Sequence, residues 1–396
     1  MSAHLKQDEP VTSNRLDGMK QGIVGQPLSR VDGLAKVTGT APYAAEYKID
    51  NVAEGVLVTA PITRGEVASI DKDSVLSMPG VLAVLDDERL TTRAAQGTAN
   101  EAPQQDPATV CYWGQPIAVV VAETFEQARD AAKHLKVEYR VHEGAPLDPH
   151  QVAPEEQEDE TVNQGDLDAA MSRAAHTVDV EIATEGHASA AMEPHAAIAE
   201  WRDDKLTVYA SLQMPNYNIA ELADSLGIEE SDIRLVSRYV GGGFGSKLGI
   251  SEETVAAAIA ARELGRPVRV VMSRQQVFQC IMRRSETTQK LRLASDEEGK
   301  LDGFAHHALV SNLPGEEFAE PVLQSSHFLY GGENRQLKLE VARIHRMTAG
   351  SVRAPGEAVG MPALEVAMDM LAEKSGVDPV ELRLRNIPDR NPEEDL

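Results

Sequence analysis

Short apolar runs alternate with polar stretches along this chain, and their spacing predicts a protein that mixes strands and helices. Residues 55–61 and 81–85 are apolar runs of strand length, and a Pro-Gly turn precedes the second. Residues 114–141 open with a continuous apolar run, carry apolar residues at helical spacing over 125–135, and end in an extended segment. This order predicts a βαβ-like unit within a first folded unit at residues 22–145.

The second part of the chain shows the same alternation. It predicts strands and helices in this order: a strand at 205–211, a helix at 216–227, an extended segment at 233–240, a helix at 251–264 and a strand at 267–273. Gly227 and Gly265 are stop signals for the two helices, and Ser251 is a suitable N-cap residue for the second. The pattern therefore predicts an α+β fold, with mixed α/β character.

Changes in composition divide the chain into five predicted segments. They are a flexible N-terminus at 1–21, a first domain at 22–145, an acidic linker at 146–164, a second domain at 165–388 and a short tail at 389–396. The linker is rich in Pro, Glu, Asp and Gln, and we expect it to be solvated.

Charge and composition limit the classes of function that the chain can have. The chain has 38 basic and 63 acidic residues, a formal net charge of −25, which argues against nucleic acid or an anionic membrane as a partner. No apolar run is long enough to span a bilayer, and the N-terminal residues show no export signal, so we expect a cytoplasmic protein. The only cysteines, Cys111 and Cys280, exclude a disulfide framework and an iron–sulfur cluster held by this chain alone, which needs about four thiolates.

Residues 239–247, YVGGGFGSK, connect the predicted extended segment to the helix at 251–264. Glycine-rich loops in this position bind anions through backbone N–H groups. The loop nevertheless does not match the Walker pattern, in which Gly-Lys-Ser/Thr begins five residues after the first glycine, because Ser246 stands five residues after Gly241. It does not match the dinucleotide fingerprint either, because the same serine occupies the position of the third glycine or alanine. On its own it predicts either an anion-binding turn or a tight turn that only lets backbones pack, and ATP or NAD binding is a weak alternative.

Other motifs accompany this loop in a fixed order. They are RVDGLAKVTGTAPYAAEY at 30–47, MEPHAAIAEW at 192–201, SLQMPN at 211–216, and the segment 351–386 that begins SVRAPGEAVGMPALEVAMDM. Together with GGGFGSK they resemble the large, molybdopterin-binding subunit of the xanthine dehydrogenase and aldehyde oxidase family. The resemblance covers about residues 22–390 and is strongest to bacterial aldehyde oxidoreductases that have a separate molybdenum subunit.

The resemblance implies an architecture and a cofactor. Residues 22–145 would form an a/b hammerhead domain, and residues 165–388 the first lobe of the molybdopterin-binding domain. The cofactor would be molybdopterin with molybdenum, in its cytosine dinucleotide form. A two-iron two-sulfur cluster and FAD would be carried by partner subunits only.

The resemblance also assigns site residues. The implied cofactor-binding residues are Gln213, Gly242, Gly243, Phe244, Gly245 and Arg353, with no residue bound directly to the metal. The Gln213 amide would hydrogen-bond an oxygen ligand of molybdenum, Phe244 would shield one side of the centre, and Arg353 would face substrate and stabilise negative charge on its oxygen. Without the resemblance, the alternatives are that Gln213 is an exposed loop residue, Phe244 a core aromatic residue and Arg353 a structural arginine.

Four further residues, Glu193, His195, Glu357 and Glu365, have side chains that could bind a metal or accept a proton. Glu193 and His195 do not make a metal site without a third ligand, and we expect them to be structural hydrogen-bonding residues. The family's general-base glutamate is absent from this chain, since Glu357 and Glu365 belong to an earlier motif.

These features predict part of a molybdenum hydroxylase. The reaction would be oxidative hydroxylation of an aldehyde or N-heterocycle, with water as the oxygen source and electrons passed to iron–sulfur and flavin partners. The family's subunit is about twice as long, so we expect a complementary C-terminal lobe to be required for tight cofactor binding and turnover. The alternative is a catalytically inactive truncated remnant or assembly partner. Arg353 and the resemblance favour aldehydes over purines.

Overall fold

The computed structural model describes residues 22, 26–90, 108–389 and 392. Its strands, labelled in chain order, are β1 (Ala53–Thr59), β2 (Gly65–Asp71), β3 (Val81–Leu85), β4 (Thr109–Val110), β5 (Pro116–Ala122), β6 (Lys136–Val141), β7 (Glu155–Glu156), β8 (Val162–Gln164), β9 (His176–Thr184), β10 (His187–Ala188), β11 (Ala196–Arg202), β12 (Lys205–Ala210), β13 (Ile233–Val236), β14 (Val268–Val271), β15 (Arg283–Arg284), β16 (Thr287–Ser295), β17 (Leu301–Asn312) and β18 (Asn334–Arg343). Its α-helices are α1 (Gly33–Val37), α2 (Asp73–Leu76), α3 (Phe125–His134), α4 (Leu167–Arg173), α5 (Pro215–Leu226), α6 (Glu252–Leu264), α7 (Arg274–Cys280), α8 (Glu357–Ser375) and α9 (Pro379–Asn386). The predicted flexible N-terminus at 1–21 lies outside the described residues.

The largest sheet has seven strands in the order β13-β12-β11-β14-β1-β5-β3. It joins strands from both predicted domains, because β1 pairs in parallel with β14. Gly55 lies at this junction, where an added Cβ would stand 2.8 Å from a methyl group of Val270. The mixture of parallel and antiparallel strands with separate helices confirms the predicted α+β class.

A second sheet has the order β7-β18-β17-β16-β9, with β8 also pairing to β18. A third, smaller sheet has the order β4-β2-β6. The predicted βαβ-like unit at 114–141 is therefore wrong in its pairing, although its elements are present. Strand β5 lies in the seven-stranded sheet between two antiparallel neighbours, whereas β6 pairs with β2 in another sheet. Periodicity identified the strands but could not identify their partners.

Each of the two large sheets packs against a helix rich in small residues. Helix α6 buries every residue from Glu253 to Ala261 and contacts the seven-stranded sheet. Helix α8 packs against β9 and β16 of the second sheet. Alanine dominates α6, so the helix approaches the sheet closely and burial of its apolar surface stabilises the contact. Small residues therefore fill much of this core, in a chain whose aromatic content is only 4%.

The predicted linker at 146–164 is exposed but is not a free tether. Strands β7 and β8 pair with β18 through backbone hydrogen bonds. The Glu155 carboxylate accepts a hydrogen bond from Arg343 at 2.8 Å, and Glu156 lies 3.3 Å from the Lys338 ammonium. The acidic residues thus neutralise basic residues of the second sheet, which sequence composition alone could not indicate. The proposed domain limits stay predictions.

Helix ends follow the sequence signals closely. Gly227 and Gly265 adopt left-handed conformations at the ends of α5 and α6, with φ of 66° and 61°. Ser251 occupies the N-cap position of α6 but makes no capping hydrogen bond with its side chain. The predicted extended segment at 233–240 is shorter than expected, since β13 ends at Val236. Among the described residues, no helix is both long and apolar enough to cross a membrane.

Two irregular segments decide where the candidate site lies. One follows β13 and leads into α6, so it belongs to the seven-stranded sheet and its helix. The other follows β18 and leads into α8, so it belongs to the second sheet. The site forms where these two segments meet.

Candidate functional site

The glycine-rich segment at 241–247, called the glycine loop below, has an unusual backbone. Gly242 and Gly245 have φ of 105° and 100°, conformations that residues with a Cβ rarely adopt. Phe244 also has a positive φ, 53°, and its side chain is 45% exposed. A strained, exposed aromatic residue between two glycines contributes little to a core, so the loop is built to present Phe244 at the surface.

Close packing explains two of the glycines. A Cβ on Gly243 would stand 2.1 Å from the side-chain oxygen of Gln213. A Cβ on Gly245 would stand 1.9 Å from the backbone oxygen of Ser351. Glycine is required at Gly245, because a Cβ there would overlap the backbone of the segment before α8. At Gly243 it leaves room for the Gln213 side chain of the SLQ segment.

Gln213 is fixed to the glycine loop by several hydrogen bonds. Its backbone N–H donates to the carbonyl of Lys247 at 2.7 Å. Its side-chain Oε1 accepts from the backbone N–H of Gly245 at 3.0 Å and from that of Lys247 at 3.4 Å. Since the carbonyl end of the amide is occupied, the amide NH₂ group is left as a donor, and it has no partner among the described residues. The Gln213 side chain is exposed.

Lys247 holds the glycine loop in place through buried polar contacts. Its side chain is fully buried, and its Nζ donates to the Glu193 carboxylate at 3.0 Å and to Ser211 Oγ at 3.1 Å. The same carboxylate accepts from the backbone N–H of Gly241 at 2.6 Å and from Ser211 Oγ at 2.6 Å. Burial raises the pKa of Glu193, but these hydrogen bonds and the charge of Lys247 outweigh it, so the net pKa is lowered. The lysine that fits no phosphate-loop pattern is thus a structural anchor.

His195 supports the same loop. Its Nε2–H donates to the backbone oxygen of Ser246 at 3.0 Å, which leaves Nδ1 without a hydrogen atom and without a partner among the described residues. Burial lowers the pKa of His195 to about 4, so the ring is neutral at pH 7. Within the described part of the chain, no group of three His, Cys, Asp or Glu side chains is arranged to hold a metal ion. The geometry therefore agrees with hydrogen-bonding roles for Glu193 and His195.

Residues 351–356, called the arginine turn below, meet the glycine loop directly. The backbone N–H of Arg353 donates to the carbonyl of Phe244 at 2.8 Å. Ala354 and Gly356 have positive φ values of 56° and 76°, which sharpen the turn. The Arg353 side chain is exposed and makes no hydrogen bond or ion pair with any described residue. Its guanidinium group is therefore available to a ligand.

A buried ion pair holds the arginine turn in place. Arg284 donates to Glu320 at 2.5 Å and to the carbonyl of Val352 at 2.9 Å, and it also bonds the carbonyls of the next two residues. Glu320 accepts from the backbone N–H of Gly356 at 2.7 Å. Both side chains are nearly inaccessible, at 4% and 0%. Three carbonyls and one N–H of the turn are thereby fixed, while the Arg353 side chain stays free.

The structure brings the predicted residues Gln213, Gly242, Gly243, Phe244, Gly245 and Arg353 to one surface. Glu357 starts α8 just behind the turn, whereas Glu365 faces away and accepts from Arg383 at 2.6 Å and Tyr330 at 2.8 Å. Sequence reasoning missed the supporting residues Lys247, Arg284 and Glu320. Their only sequence signal is a charged residue within an apolar or glycine-rich neighbourhood, which does not reveal its partner.

Two protein-family models match this chain. The model for the molybdopterin cofactor-binding domain matches residues 124–387, which is more than half of the chain. The model for the aldehyde oxidase and xanthine dehydrogenase a/b hammerhead domain matches residues 38–143. Both agree with the resemblance seen in the motifs.

Individual proteins show the same relationship. The chain is 40% identical over 387 residues to the aldehyde oxidoreductase molybdenum-binding subunit PaoC of Escherichia coli, covering 96% of this chain and 52% of that subunit. It is 25% identical over 386 residues to a nicotinate dehydrogenase large molybdopterin subunit of Eubacterium barkeri, covering 93% and 90%. The solved aldehyde oxidoreductase from Desulfovibrio gigas superposes with a TM-score of 0.80 at 26% identity, covering 92% and 43%. The chain thus spans about half the length of the first relative and most of the length of the second.

Proposed function

Because the chain belongs to the family of molybdopterin cofactor-binding domains, preceded by the family's hammerhead domain, we propose that it forms one wall of a molybdopterin site in a molybdenum hydroxylase. The observation that carries this proposal is the joint surface of the glycine loop and the arginine turn. There, Gln213, Phe244 and Arg353 are exposed next to one another while the backbone beneath them is fixed by buried ion pairs.

The donors on this surface fit the cofactor. A molybdenum–pterin group presents oxygen and sulfur atoms that accept hydrogen bonds, and no carboxylate competes with them among the residues of the two loops that face outward. The amide NH₂ of Gln213 is an unused donor, because its Oε1 is held by backbone N–H groups. When bound, the cofactor would supply the oxidising chemistry that introduces an oxygen atom from water into a C–H bond of the substrate.

The chain's own residues would orient the reactants. The Gln213 amide would hold an oxygen ligand of the cofactor through a hydrogen bond without binding the metal. Phe244 would cover one side of the site and exclude water, which its exposed position and strained backbone allow. The Arg353 guanidinium would stabilise negative charge that develops on a substrate oxygen.

The base that takes up a proton from the reacting water is expected on a complementary lobe. We propose that this lobe closes the site over Phe244 and brings the general-base glutamate. The Eubacterium barkeri relative is of similar length to this chain, which supports the idea that a lobe of this size can act as a separate subunit. The chain alone would not retain the cofactor tightly.

Electrons must leave through other subunits. The chain has two cysteines, too few to hold an iron–sulfur cluster alone, and they do not form a disulfide with each other. We propose that a two-iron two-sulfur subunit and an FAD subunit accept the electrons, that the cofactor is the cytosine dinucleotide form, and that the enzyme acts in the cytoplasm. The PaoC relative and the Desulfovibrio gigas structure favour an aldehyde as the substrate over an N-heterocycle.

Turnover of the assembled enzyme tests the proposal. We expect Gln213→Ala and Arg353→Ala each to lower the rate of aldehyde oxidation at least about tenfold, the effect of losing one charge-assisted hydrogen bond. Gln151→Ala and Arg202→Ala, on exposed residues elsewhere, serve as matched controls and should leave the rate unchanged. Unchanged kinetics in the first two variants would remove these residues from the site.

The same assembly distinguishes the non-catalytic alternative. If the assembled protein contains molybdenum but oxidises neither aldehydes nor N-heterocycles, the chain is an assembly partner or inactive remnant. Equilibrium dialysis that shows micromolar binding of ATP or NAD would instead favour a nucleotide-binding role for the glycine loop.

A further inference from the structure

A cavity of about 510 Å³ lies beside strand β13, at the edge of the seven-stranded sheet. It is lined by Tyr47, Tyr209 and residues 234–238. None of its lining residues belongs to the glycine loop, the arginine turn or the Gln213 side chain. Its volume lies in the range of cavities that hold small molecules. The proposed molybdopterin function gives this cavity no role.

Two arginines give the cavity its charge. Arg234 and Arg238 both line it, both are exposed, and neither forms an ion pair or side-chain hydrogen bond with another described residue. This is unexpected in a chain with 63 acidic against 38 basic residues, where carboxylates are abundant partners. Arginine binds carboxylate and phosphate groups through paired N–H donors. The cavity is therefore suited to an anionic group.

Aromatic rings form another wall. Tyr47 and Tyr209 pack with their ring centroids 4.6 Å apart and their planes inclined by 38°. The Tyr47 hydroxyl is buried and has no hydrogen-bond partner among the described residues, a costly state unless a ligand or water provides one. Leu235 and Val236 add apolar surface beside the rings. A flat apolar body would contact this wall.

We propose that this cavity binds a small organic anion that combines a carboxylate or phosphate head with a flat apolar body. The head pairs with Arg234 and Arg238, and the body lies against the tyrosine wall. This site is separate from the proposed molybdopterin wall, so either can exist without the other.

Titration calorimetry on the whole chain tests the proposal with three probes. Benzoate carries the charge and the ring, inorganic phosphate carries only charge, and benzamide carries only the ring. We expect benzoate to bind with a Kd below about 1 mM and at least about tenfold more tightly than either of the others. No benzoate binding, or binding of benzamide or phosphate that equals that of benzoate, would overturn the proposal.

Variants locate the binding to the cavity. Arg238→Gln and Arg234→Gln should each weaken benzoate binding at least about tenfold. Arg129→Gln is the matched control, since Arg129 is exposed on α3 and lies over the Phe125 ring, away from the cavity. Because both cavity arginines are exposed, these variants should keep the wild-type melting temperature. Benzoate binding that survives both arginine substitutions would contradict the assignment.

Discussion

The glycine loop and the arginine turn meet at the same surface, but they are held in different ways. The glycine loop carries its own anchor, Lys247, whose partner Glu193 also accepts from a serine and from the loop backbone. The arginine turn has no anchor of its own. It is held from outside by Arg284, which bonds its carbonyls, and by Glu320, which accepts from its backbone N–H.

The comparison shows that the residues that face outward and the residues that hold the backbone in place are different sets. In both segments, the outward-facing side chains of Phe244 and Arg353 make no hydrogen bond with a described residue, whereas the charged residues beneath them are buried and paired. The Glu193 side chain is 11% exposed and accepts hydrogen bonds from several donors. The Glu320 side chain is 0% exposed and depends on Arg284 for its counter-charge. The arginine turn should therefore be the more vulnerable of the two to loss of its cation.

The largest expected effect is on the arginine turn. Arg284→Met should lower the free energy of unfolding by about 4 kcal/mol, because it leaves the Glu320 carboxylate buried without a counter-charge. Urea unfolding followed by circular dichroism measures this value. Arg173→Met, which removes an exposed pair with Asp302, is the control and should change stability by no more than about 0.5 kcal/mol.

A double variant makes that test specific. Adding Glu320→Gln to Arg284→Met should restore at least about 1 kcal/mol, since the unpaired buried charge is removed. A double variant that is less stable than Arg284→Met would show that packing, and not charge, dominates.

The stability that His195 contributes beneath the glycine loop should depend on pH. The His195 pKa is lowered from 6.5 to about 4 by burial, so the unfolded chain binds more protons between these values. Stability contributed by neutral His195 is complete above pH 6.5 and is lost as the pH falls toward 4, by about 3 kcal/mol in total. The stability difference between His195→Gln and wild type should change by that amount between pH 7 and pH 4.

Removing the anchor of the glycine loop should have a smaller effect. Lys247→Met should lower the free energy of unfolding by about 2 kcal/mol, because Glu193 keeps its hydrogen bonds from Ser211 and Gly241. The same urea experiment measures it. A loss equal to or greater than that of Arg284→Met would contradict the proposed difference between the two segments.

The smallest stability effect is expected on the outer surface. Phe244→Ala should change the free energy of unfolding by no more than about 0.5 kcal/mol, because the ring is 45% exposed. Urea unfolding of this variant would exceed that limit only if the ring packs into the fold. A loss above about 2 kcal/mol would make Phe244 a core residue.

The outward-facing residues of the site could be predicted from the sequence much better than the buried ion pairs that hold them in place. Gln213, Phe244 and Arg353 lie within short motifs whose residue types and order are visible in the chain. The supporting pairs are invisible to that reasoning, because Lys247 and Glu193 are 54 positions apart and Arg284 and Glu320 are 36 apart. Residues this far apart in the sequence become neighbours only through the arrangement of the strands and loops that carry them.

The same limit applies to the fold. Glycine stop signals gave the ends of α5 and α6, because a left-handed residue is a local requirement. Strand pairing is not local, so the segment at 114–141 was assigned to one βαβ-like unit although its strands lie in different sheets. The acidic segment at 146–164 is exposed as expected, but its pairing with β18 has no local signal in the sequence.

The molybdenum content of the chain, with and without a complementary lobe, tests the central claim most directly. The lobe can be taken from a neighbouring reading frame or from the part of the Escherichia coli relative that this chain does not cover. We expect the chain alone to carry little molybdenum, and the assembly to carry close to one molybdenum per chain and to lose most of it when Gln213 is replaced by Ala. Near-stoichiometric molybdenum and aldehyde oxidation by the chain alone, or an assembly without molybdenum, would contradict the claim that this surface is one wall of a two-lobed cofactor site.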